Sequence, residues 1–205
     1  MKFYLSSDKI GNKADELKVM IPKNGKIGVV PNALDYVAPK SRKESNEKIM
    51  KDLTDLGIKV DLLDLQKYFD KKKQLRNKID SLAGIWVRGG NTFVLRQAMR
   101  LSGLDEILKN MNRSDFVYGG YSAGGCVLSP DLRYLQIVDD PTIMPYKIKE
   151  IIWDGLGLIN FAFLPHYKSD HPESKDIDKE VEYCKKNKIP TRRSEMAKLL
   201  YSMIR

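Results

Sequence analysis

The chain has 205 residues, of which 42% are hydrophobic and 31% are charged. A chain of this length and composition buries a core without disulfide staples, which excludes a disulfide-rich miniprotein and a mostly disordered chain. Lys and Arg total 36 and Asp and Glu total 27, so the formal net charge is +9. This excess raises the hypothesis of a nucleic-acid partner.

The cysteines and the N-terminal segment indicate in which cellular compartment the protein is expected. Cys126 and Cys184 form no CxxC motif and no disulfide framework, which favours a reducing environment. The segment 1–18 lacks the unbroken apolar core of a signal peptide. The sequence contains no run of 18 apolar residues, so it predicts no membrane span. We therefore expect a cytoplasmic protein.

Short apolar runs closed by turn residues alternate with helical patterns along the chain. In residues 42–56, Ile49, Leu53 and Leu56 recur at helical spacing. This alternation predicts an α/β fold: a single domain over residues 1–205, with a mostly parallel sheet and helices on both faces. The predicted strands are 3–5, 26–30, 58–60, 84–87, 116–118, 135–138 and 161–164, and the further predicted helices are 91–102, 104–112 and 172–187.

Three predicted strands end in residues with unusual chemistry. These ends are 88–91, 119–125 and 165–166. In open α/β sheets the ligand site lies beyond the carboxyl ends of the strands. The sequence therefore predicts a functional site where these three segments meet.

The segment 120–124 reads G-x-S-x-G directly after an apolar strand, the pattern of a nucleophile elbow. In such a turn Ser122 is held at the sheet edge, and the N–H groups of the following helix point at a developing oxyanion. The alternative interpretation is a glycine-rich turn with a capping serine. A serine nucleophile needs a base, and His166 lies at a strand end, whereas His171 lies in a polar stretch and is expected at the surface.

A carboxylate that orients the imidazole is the usual third member of such a site. Asp139 and Asp140 follow a predicted strand between the serine and the histidine, and Asp131 and Asp154 are alternatives. Any of these residues could instead be an ordinary turn aspartate.

Residues 88–92 follow another predicted strand and open a helix. Gly89 and Gly90 let the backbone approach a ligand and can supply a further oxyanion N–H. Asn91 either caps the helix or holds the loop. The alternative interpretation of this segment is a tight turn with an N-cap.

These segments resemble the peptidase E family of serine peptidases, which includes aspartyl dipeptidases and cyanophycinase-like enzymes. The resemblance runs from the first strand to about residue 190 and implies a fold similar to class I glutamine amidotransferases, with serine in place of cysteine at the elbow. The segments that carry it, in family order and spacing, are 89–93, 119–125, 155–158 and 165–167. The implied site consists of Ser122 as nucleophile, His166 as general base, Asp140 nearest the family's acid with Asp139 left open, and oxyanion N–H groups from Ala123 and Gly90.

The resemblance also implies hydrolysis of small peptides through an acyl-enzyme, with no cofactor. The sequence has no HExxH motif and no Cys/His grouping at ligand spacing, so no metal site is expected. The family's best-known substrates begin with aspartate, whose side chain needs a cationic partner. The candidate cations are Arg88, Arg133 and Lys168, and Arg88 and Asn91 are the expected substrate contacts. We expect a monomer or a homodimer.

The segment 191–205 departs from the family pattern. Family members end in a strand-turn-strand, whereas Ser194, Ala197 and 199–200 predict a capped helix here. This departure is the reason to keep a non-catalytic binding relative as an alternative. A nucleic-acid binder is less favoured, because acidic residues surround the longest basic run, 71–73.

Overall fold

The computed structural model describes residues 1–193 and 199–204, the second range by its backbone alone. The strands are β1 (Lys2–Ser6), β2 (Lys26–Val30), β3 (Lys59–Leu62), β4 (Gly84–Val87), β5 (Val117–Tyr121), β6 (Ala162–Leu164), β7 (Thr191–Arg193) and β8 (Leu199–Ile204). The helices are α1 (Ala14–Met20), α2 (Pro39–Asp55), α3 (Lys72–Asp80), α4 (Thr92–Ser102), α5 (Leu104–Lys109), α6 (Ala123–Cys126) and α7 (Ser174–Lys186).

Five parallel strands form the centre of the sheet in the order β3-β2-β4-β5-β1. The last strand, β8, pairs antiparallel with β1 at the edge. Strands β6 and β7 form a separate parallel pair. The fold is therefore the expected single α/β domain with a mostly parallel sheet.

Both faces of the sheet are covered by helices. Successive residues of a strand point to opposite faces, so Ile85 and Val87 of β4 join one core cluster and Trp86 joins the other. Helices α1 and α2 bury Leu17 and Leu53 in the cluster around Trp86, and α3 to α7 contribute to the opposite cluster. The expectation of helices on both faces is confirmed.

The strand predicted at 135–138 is wrong. The chain forms a 3₁₀ helix over Arg133–Ile137. The N–H groups of Val138 and Asp139 both donate to the carbonyl of Leu135, at 3.0 and 2.8 Å. Because these local bonds satisfy the backbone, the apolar run needs no partner strand.

Two helices were not predicted, α1 and α3. Helix α3 begins within the basic run 71–73, and these charged residues obscure the helical spacing of the apolar residues that follow. Leu75 and Ile79 are both fully buried and stand four residues apart, so they form the apolar stripe of α3.

The helix predicted in the C-terminal segment is wrong for the part that is described. Residues 191–193 form β7, and 199–204 form β8, with Lys2 opposite Ile204. The free edge of β1 offers unpaired N–H and C=O groups, and pairing with them outweighs a local helical preference. Ser194 and Ala197 lie outside the described residues. Among the helices that the structure describes, none is long and apolar enough to cross a membrane.

Candidate active site

Ser122 stands on a sharp turn between β5 and α6. Its φ and ψ are 47° and −120°, a combination that a residue other than glycine holds only under constraint. The N–H groups of Gly125 and Cys126 donate to the Ser122 carbonyl at 2.8 and 2.9 Å, which fixes the turn. The strand-turn-helix context of a nucleophile elbow is present.

The glycines around Ser122 allow the helix to approach the sheet. A Cβ on Gly124 would lie 2.1 Å from the carbonyl oxygen of Val87 in β4. A Cβ on Gly120 would lie 2.9 Å from the carbonyl oxygen of Gly124. The G-x-S-x-G spacing is therefore a packing requirement for holding Ser122 in place.

Two backbone N–H groups beside Ser122 are available to a ligand. Ala123 and Gly90 donate a backbone hydrogen bond to no other described residue. Gly90 has a φ of 142°, which favours glycine. Asn91 both caps α4, by accepting from the Val94 N–H at 2.9 Å, and holds the loop, by donating to the Asp140 carbonyl at 3.0 Å.

The predicted residues converge on one cleft of about 400 Å³, at the carboxyl ends of β1, β4 and β5. Ala123 lines a narrower cavity that shares Ser122 and Gly90 with this cleft. The predicted site residues that line the cleft itself are Arg88, Gly90, Asn91, Ser122, Asp140 and His166.

His166 follows β6 and is only 2% exposed. Its backbone N–H donates to Ser7 Oγ at 2.6 Å, and its Nδ1 has no hydrogen-bond partner among the described residues. Its ring stacks on that of His171, with 3.8 Å between centroids and 14° between planes. Burial, together with the charge of His171, lowers the pKa of His166 to about 4.

His171, expected at the surface, is 31% exposed and also contributes to the cleft. His171 is partly buried, lines the cleft and covers the ring of His166. Its Nδ1 accepts from the Glu173 N–H at 3.3 Å, which orients the ring. A polar, loop-like sequence therefore concealed a residue that the loop before α7 brings to the cleft.

Ser122 and His166 share the cleft without a hydrogen bond between their side chains in the part of the chain that the structure describes. Such bonds are often long in free enzymes and tighten when the substrate binds. The structure therefore places Ser122 and His166 in one cleft, and we expect their side-chain hydrogen bond to form when the substrate binds.

Neither expected carboxylate bonds His166. The exposed carboxylate of Asp140 accepts from the N–H and hydroxyl of Thr142, at 2.8 and 2.7 Å, which lowers its pKa. Asp139 accepts from the Thr92 N–H at 2.9 Å, and desolvation raises its pKa to about 6. Both residues line the cleft, so Asp140 stays a prediction and Asp139 its alternative.

The remaining alternatives for the acid lie away from the cleft. Asp131 forms an ion pair with Arg133, and Asp131 and Asp154 pair through an isolated β-bridge. Neither aspartate lines the cleft.

Of the three expected cations, Arg88 alone lines the cleft among the described residues. Its guanidinium donates to Asn46 Oδ1 at 2.5 Å and to Ser45 Oγ at 2.8 Å. Arg133 lies over the Trp153 ring, and Lys168 lies over the ring of Tyr167.

Glu180 was not predicted, and it lines the narrower cavity that Ser122 also lines. It is fully buried in α7, and neither carboxyl oxygen has a hydrogen-bond partner among the described residues. Burial, followed by repulsion from Asp139 and Glu173, raises its pKa to about 9. The sequence signal is its place on an apolar stripe, between Ile177 and Cys184.

One trio of potential metal ligands is present in the described part of the chain: His166, His171 and Glu173, whose ligand atoms lie within 4.8 Å of one another. The two imidazole rings are stacked nearly parallel, so their nitrogen lone pairs run side by side instead of converging. A tetrahedral zinc site needs converging ligands. This trio does not present one.

Known proteins share both the sequence pattern and the fold. The sequence profile of Peptidase family S51 matches residues 6–191. "Uncharacterized peptidase Lmo0363" of Listeria monocytogenes is 30% identical over 68% of this chain and 65% of its own length. "Peptidase E" of Streptomyces coelicolor is 34% identical over 47% of this chain and 37% of its own length. The chain thus spans less than two thirds of these curated relatives.

The fold likeness extends over almost the whole chain. A crystal structure from Listeria monocytogenes EGD-e, described as a "Putative Peptidase E Protein", has a TM-score of 0.72 at 23% identity. The match covers 96% of this chain and 90% of that one. At this identity the likeness shows the α/β fold.

Proposed function

Since the chain belongs to peptidase family S51, we propose that it hydrolyses small peptides as a serine-type peptidase. The observation that carries the proposal is the strained Ser122 at the β5–α6 turn, in one cleft with His166. Constrained backbone of this kind persists where the surrounding structure imposes it, and it is concentrated at active sites. The capping-serine interpretation accounts for none of this strain, since the Ser122 side chain makes no capping bond.

The proposed reaction is acyl transfer. Ser122 Oγ attacks the peptide carbonyl while His166 takes the hydroxyl proton. The N–H groups of Ala123 and Gly90 stabilise the oxyanion that forms. The imidazolium then gives its proton to the leaving amine, and the C–N bond breaks. A water, deprotonated by His166, hydrolyses the ester and restores Ser122.

The predicted site residues in the cleft each have a role in this proposal. A lowered pKa keeps His166 neutral at pH 7, which is the state a base needs. Asp140, with Asp139 as the alternative, stabilises the imidazolium when it forms. Arg88 and Asn91 contact the peptide, and Arg88 is the cation that would receive an N-terminal aspartate.

A screen of free dipeptides tests the proposal. Asp-Ala, Ala-Ala and Lys-Ala are incubated with the wild-type protein, and the released amino acids are quantified by chromatography. We expect hydrolysis, with Asp-Ala the best substrate if Arg88 sets the preference. Hydrolysis of no peptide would favour the alternative, a non-catalytic relative that binds its ligand without turnover.

The pH dependence distinguishes the two candidate acids. If Asp140 is the acid, its lowered pKa leaves His166 as the group whose protonation reduces activity at low pH. In that case kcat/KM is expected to rise through about pH 4 and then level off. With Asp139 the rise moves to about pH 6, and Asp139→Asn removes it. The measurement is kcat/KM over a pH range that begins at least one unit below the pKa of His166 and extends to pH 9. If kcat/KM rose only at or above the ordinary pKa of an imidazole, that result would contradict a buried His166 as the base.

A further inference from the structure

A second pocket, called the α4 pocket below, lies between helix α4 and the segment 148–152. Gln97, Arg100 and Leu101 line it from one face of the helix, because residues three and four positions apart lie on the same side. Among the described residues, none that lines this pocket also lines the cleft. Its volume of about 270 Å³ is just below the roughly 300–1,000 Å³ of sites for drug-sized ligands, so it suits a smaller molecule.

The α4 pocket carries charged groups of both signs. Arg100, Lys149 and Glu150 are all exposed and line it together. Although opposite charges stand around one small space, none of these three side chains forms an ion pair or a hydrogen bond with any residue that the structure describes. Both signs of charge are therefore available to a ligand, and a ligand that carries both charges suits them.

Gln97 adds a polar group that is buried. It is only 2% exposed, and its Nε2 donates to the Ile143 carbonyl at 2.8 Å. Its Oε1 is buried and has no hydrogen-bond partner among the described residues. An acceptor that is buried without a donor costs free energy, so a ligand N–H group that reaches it is favoured.

The rest of the α4 pocket is apolar. Leu101, Ile148 and Ile152 line it, and all three are only partly buried. An aliphatic group placed against them removes apolar surface of both protein and ligand from water. The pocket therefore combines an apolar wall with a buried acceptor and with charged groups of both signs.

We propose that the α4 pocket binds a free aliphatic amino acid of about the size of leucine. The guanidinium of Arg100 has the planar geometry that pairs with a carboxylate, and Lys149 adds a second positive charge. The ammonium group of the ligand donates to Gln97 Oε1 and pairs with Glu150. The aliphatic side chain lies against the apolar wall. This binding site goes beyond the proposed function and does not depend on it.

The α4 pocket and the cleft share one segment of the chain. Asp139, Asp140 and Ile143 line the cleft, and the same segment continues to residues 148–152 of the pocket. Gln97 joins the two sites, because it lines the pocket and donates to the carbonyl of Ile143. An amino acid that bridges α4 and 148–152 therefore holds this wall of the cleft in place. We expect it to increase the affinity of the cleft for a peptide, an effect that rests on the proposed function.

A binding test follows the protein by proton–nitrogen correlation NMR during a titration with L-leucine. We expect saturable shifts of the Gln97 carboxamide and of the Arg100 Nε–H. Isocaproate lacks the ammonium group, isopentylamine lacks the carboxylate and glycine lacks the side chain. Each should bind at least about 10-fold more weakly than leucine, the effect of losing one charged hydrogen bond or one buried aliphatic group. Equal affinity for leucine and isocaproate, or leucine shifts confined to the cleft, would overturn the proposal.

Charge-removing variants assign the two ends of the ligand. Arg100→Gln should remove most of the preference for leucine over isopentylamine, and Glu150→Gln should reduce the preference for leucine over isocaproate. Lys48→Gln is the control, because it removes a positive charge from the exposed face of α2 and should bind leucine as the wild type does. All three positions are exposed, and thermal midpoints verify that the variants are folded. Unchanged leucine affinity in Arg100→Gln would contradict the proposal.

The effect on the cleft is measured without turnover. In Ser122→Ala, saturating leucine should tighten the binding of Ala-Ala by about 5-fold, the lower end of the coupling typical between two sites. Adding Arg100→Gln should abolish this effect. If leucine binds at the α4 pocket while Ala-Ala is neither bound nor hydrolysed, the proposed function fails and the amino-acid site stands. If Ala-Ala shifted the Arg100 signal at lower concentration than leucine, the pocket would be a peptide site and the proposal would be wrong.

Discussion

Ser122→Ala is expected to lower kcat/KM on a small peptide by about 10⁴- to 10⁶-fold, the loss typical of removing the nucleophile of a serine peptidase. The variant keeps the cleft, the oxyanion N–H groups and His166, so peptide binding should remain while no acyl-enzyme can form. The measurement is the initial rate of amino-acid release at substrate concentrations well below KM.

Its control is Ser41→Ala, on the exposed face of α2. This variant should have wild-type activity. Both variants should also have wild-type thermal midpoints, because alanine at position 122 meets the same backbone constraint as serine. Retained activity in Ser122→Ala would show that another group is the nucleophile.

Gly124→Ala is expected to destabilise the fold by about 4 kcal/mol or more, which is exceptional for a single substitution. The added Cβ would lie 2.1 Å from the carbonyl oxygen of Val87, and backbone on both sides prevents a small local adjustment. Helix α6 must then move away from β4 and take Ser122 with it. The measurement is the free energy of unfolding from urea titration, together with kcat/KM.

Gly57→Ala is the matched control. Gly57 has a φ of +81°, and a Cβ there meets nothing within 4 Å. This variant therefore has backbone strain without a clash, and it should cost about 1–2 kcal/mol and leave activity unchanged. If the two variants were equally mild, the close approach of α6 to β4 would not be what holds Ser122.

The sequence predicted those parts of the site that local patterns determine. The strand before Ser122, the short helix after it and the Asn91 cap each depend on a few neighbouring residues. The position of His166 at the end of β6 depends on a short apolar run closed by Pro165. Because the parallel strands β4 and β5 end at one edge of the sheet, these local predictions also placed Asn91 and Ser122 together. His166 follows β6 of the separate β6–β7 pair, so this shared edge does not account for its place in the cleft.

Other parts depend on contacts between segments distant in sequence. Glu180 shares a cavity with Ser122 because α7 packs against β6 and the 3₁₀ helix Arg133–Ile137. Its own neighbours in the sequence show only an amphipathic helix. The stacking of His171 on His166 likewise needs the loop before α7. Strand β8 forms because β1 leaves an edge open, which residues 199–204 do not reveal by themselves. Such positions follow from the tertiary arrangement, which a single sequence does not contain.

Covalent trapping tests most directly whether Ser122 is an activated nucleophile. The protein is treated with diisopropyl fluorophosphate, whose fluoride is displaced by a serine oxygen, and the product is analysed by intact mass and peptide mapping. We expect one adduct, on the peptide that contains Ser122, with none in Ser122→Ala and much slower labelling in His166→Ala. An unmodified Ser122, or labelling of Ser122 at the same rate without His166, would contradict the proposed Ser-His mechanism.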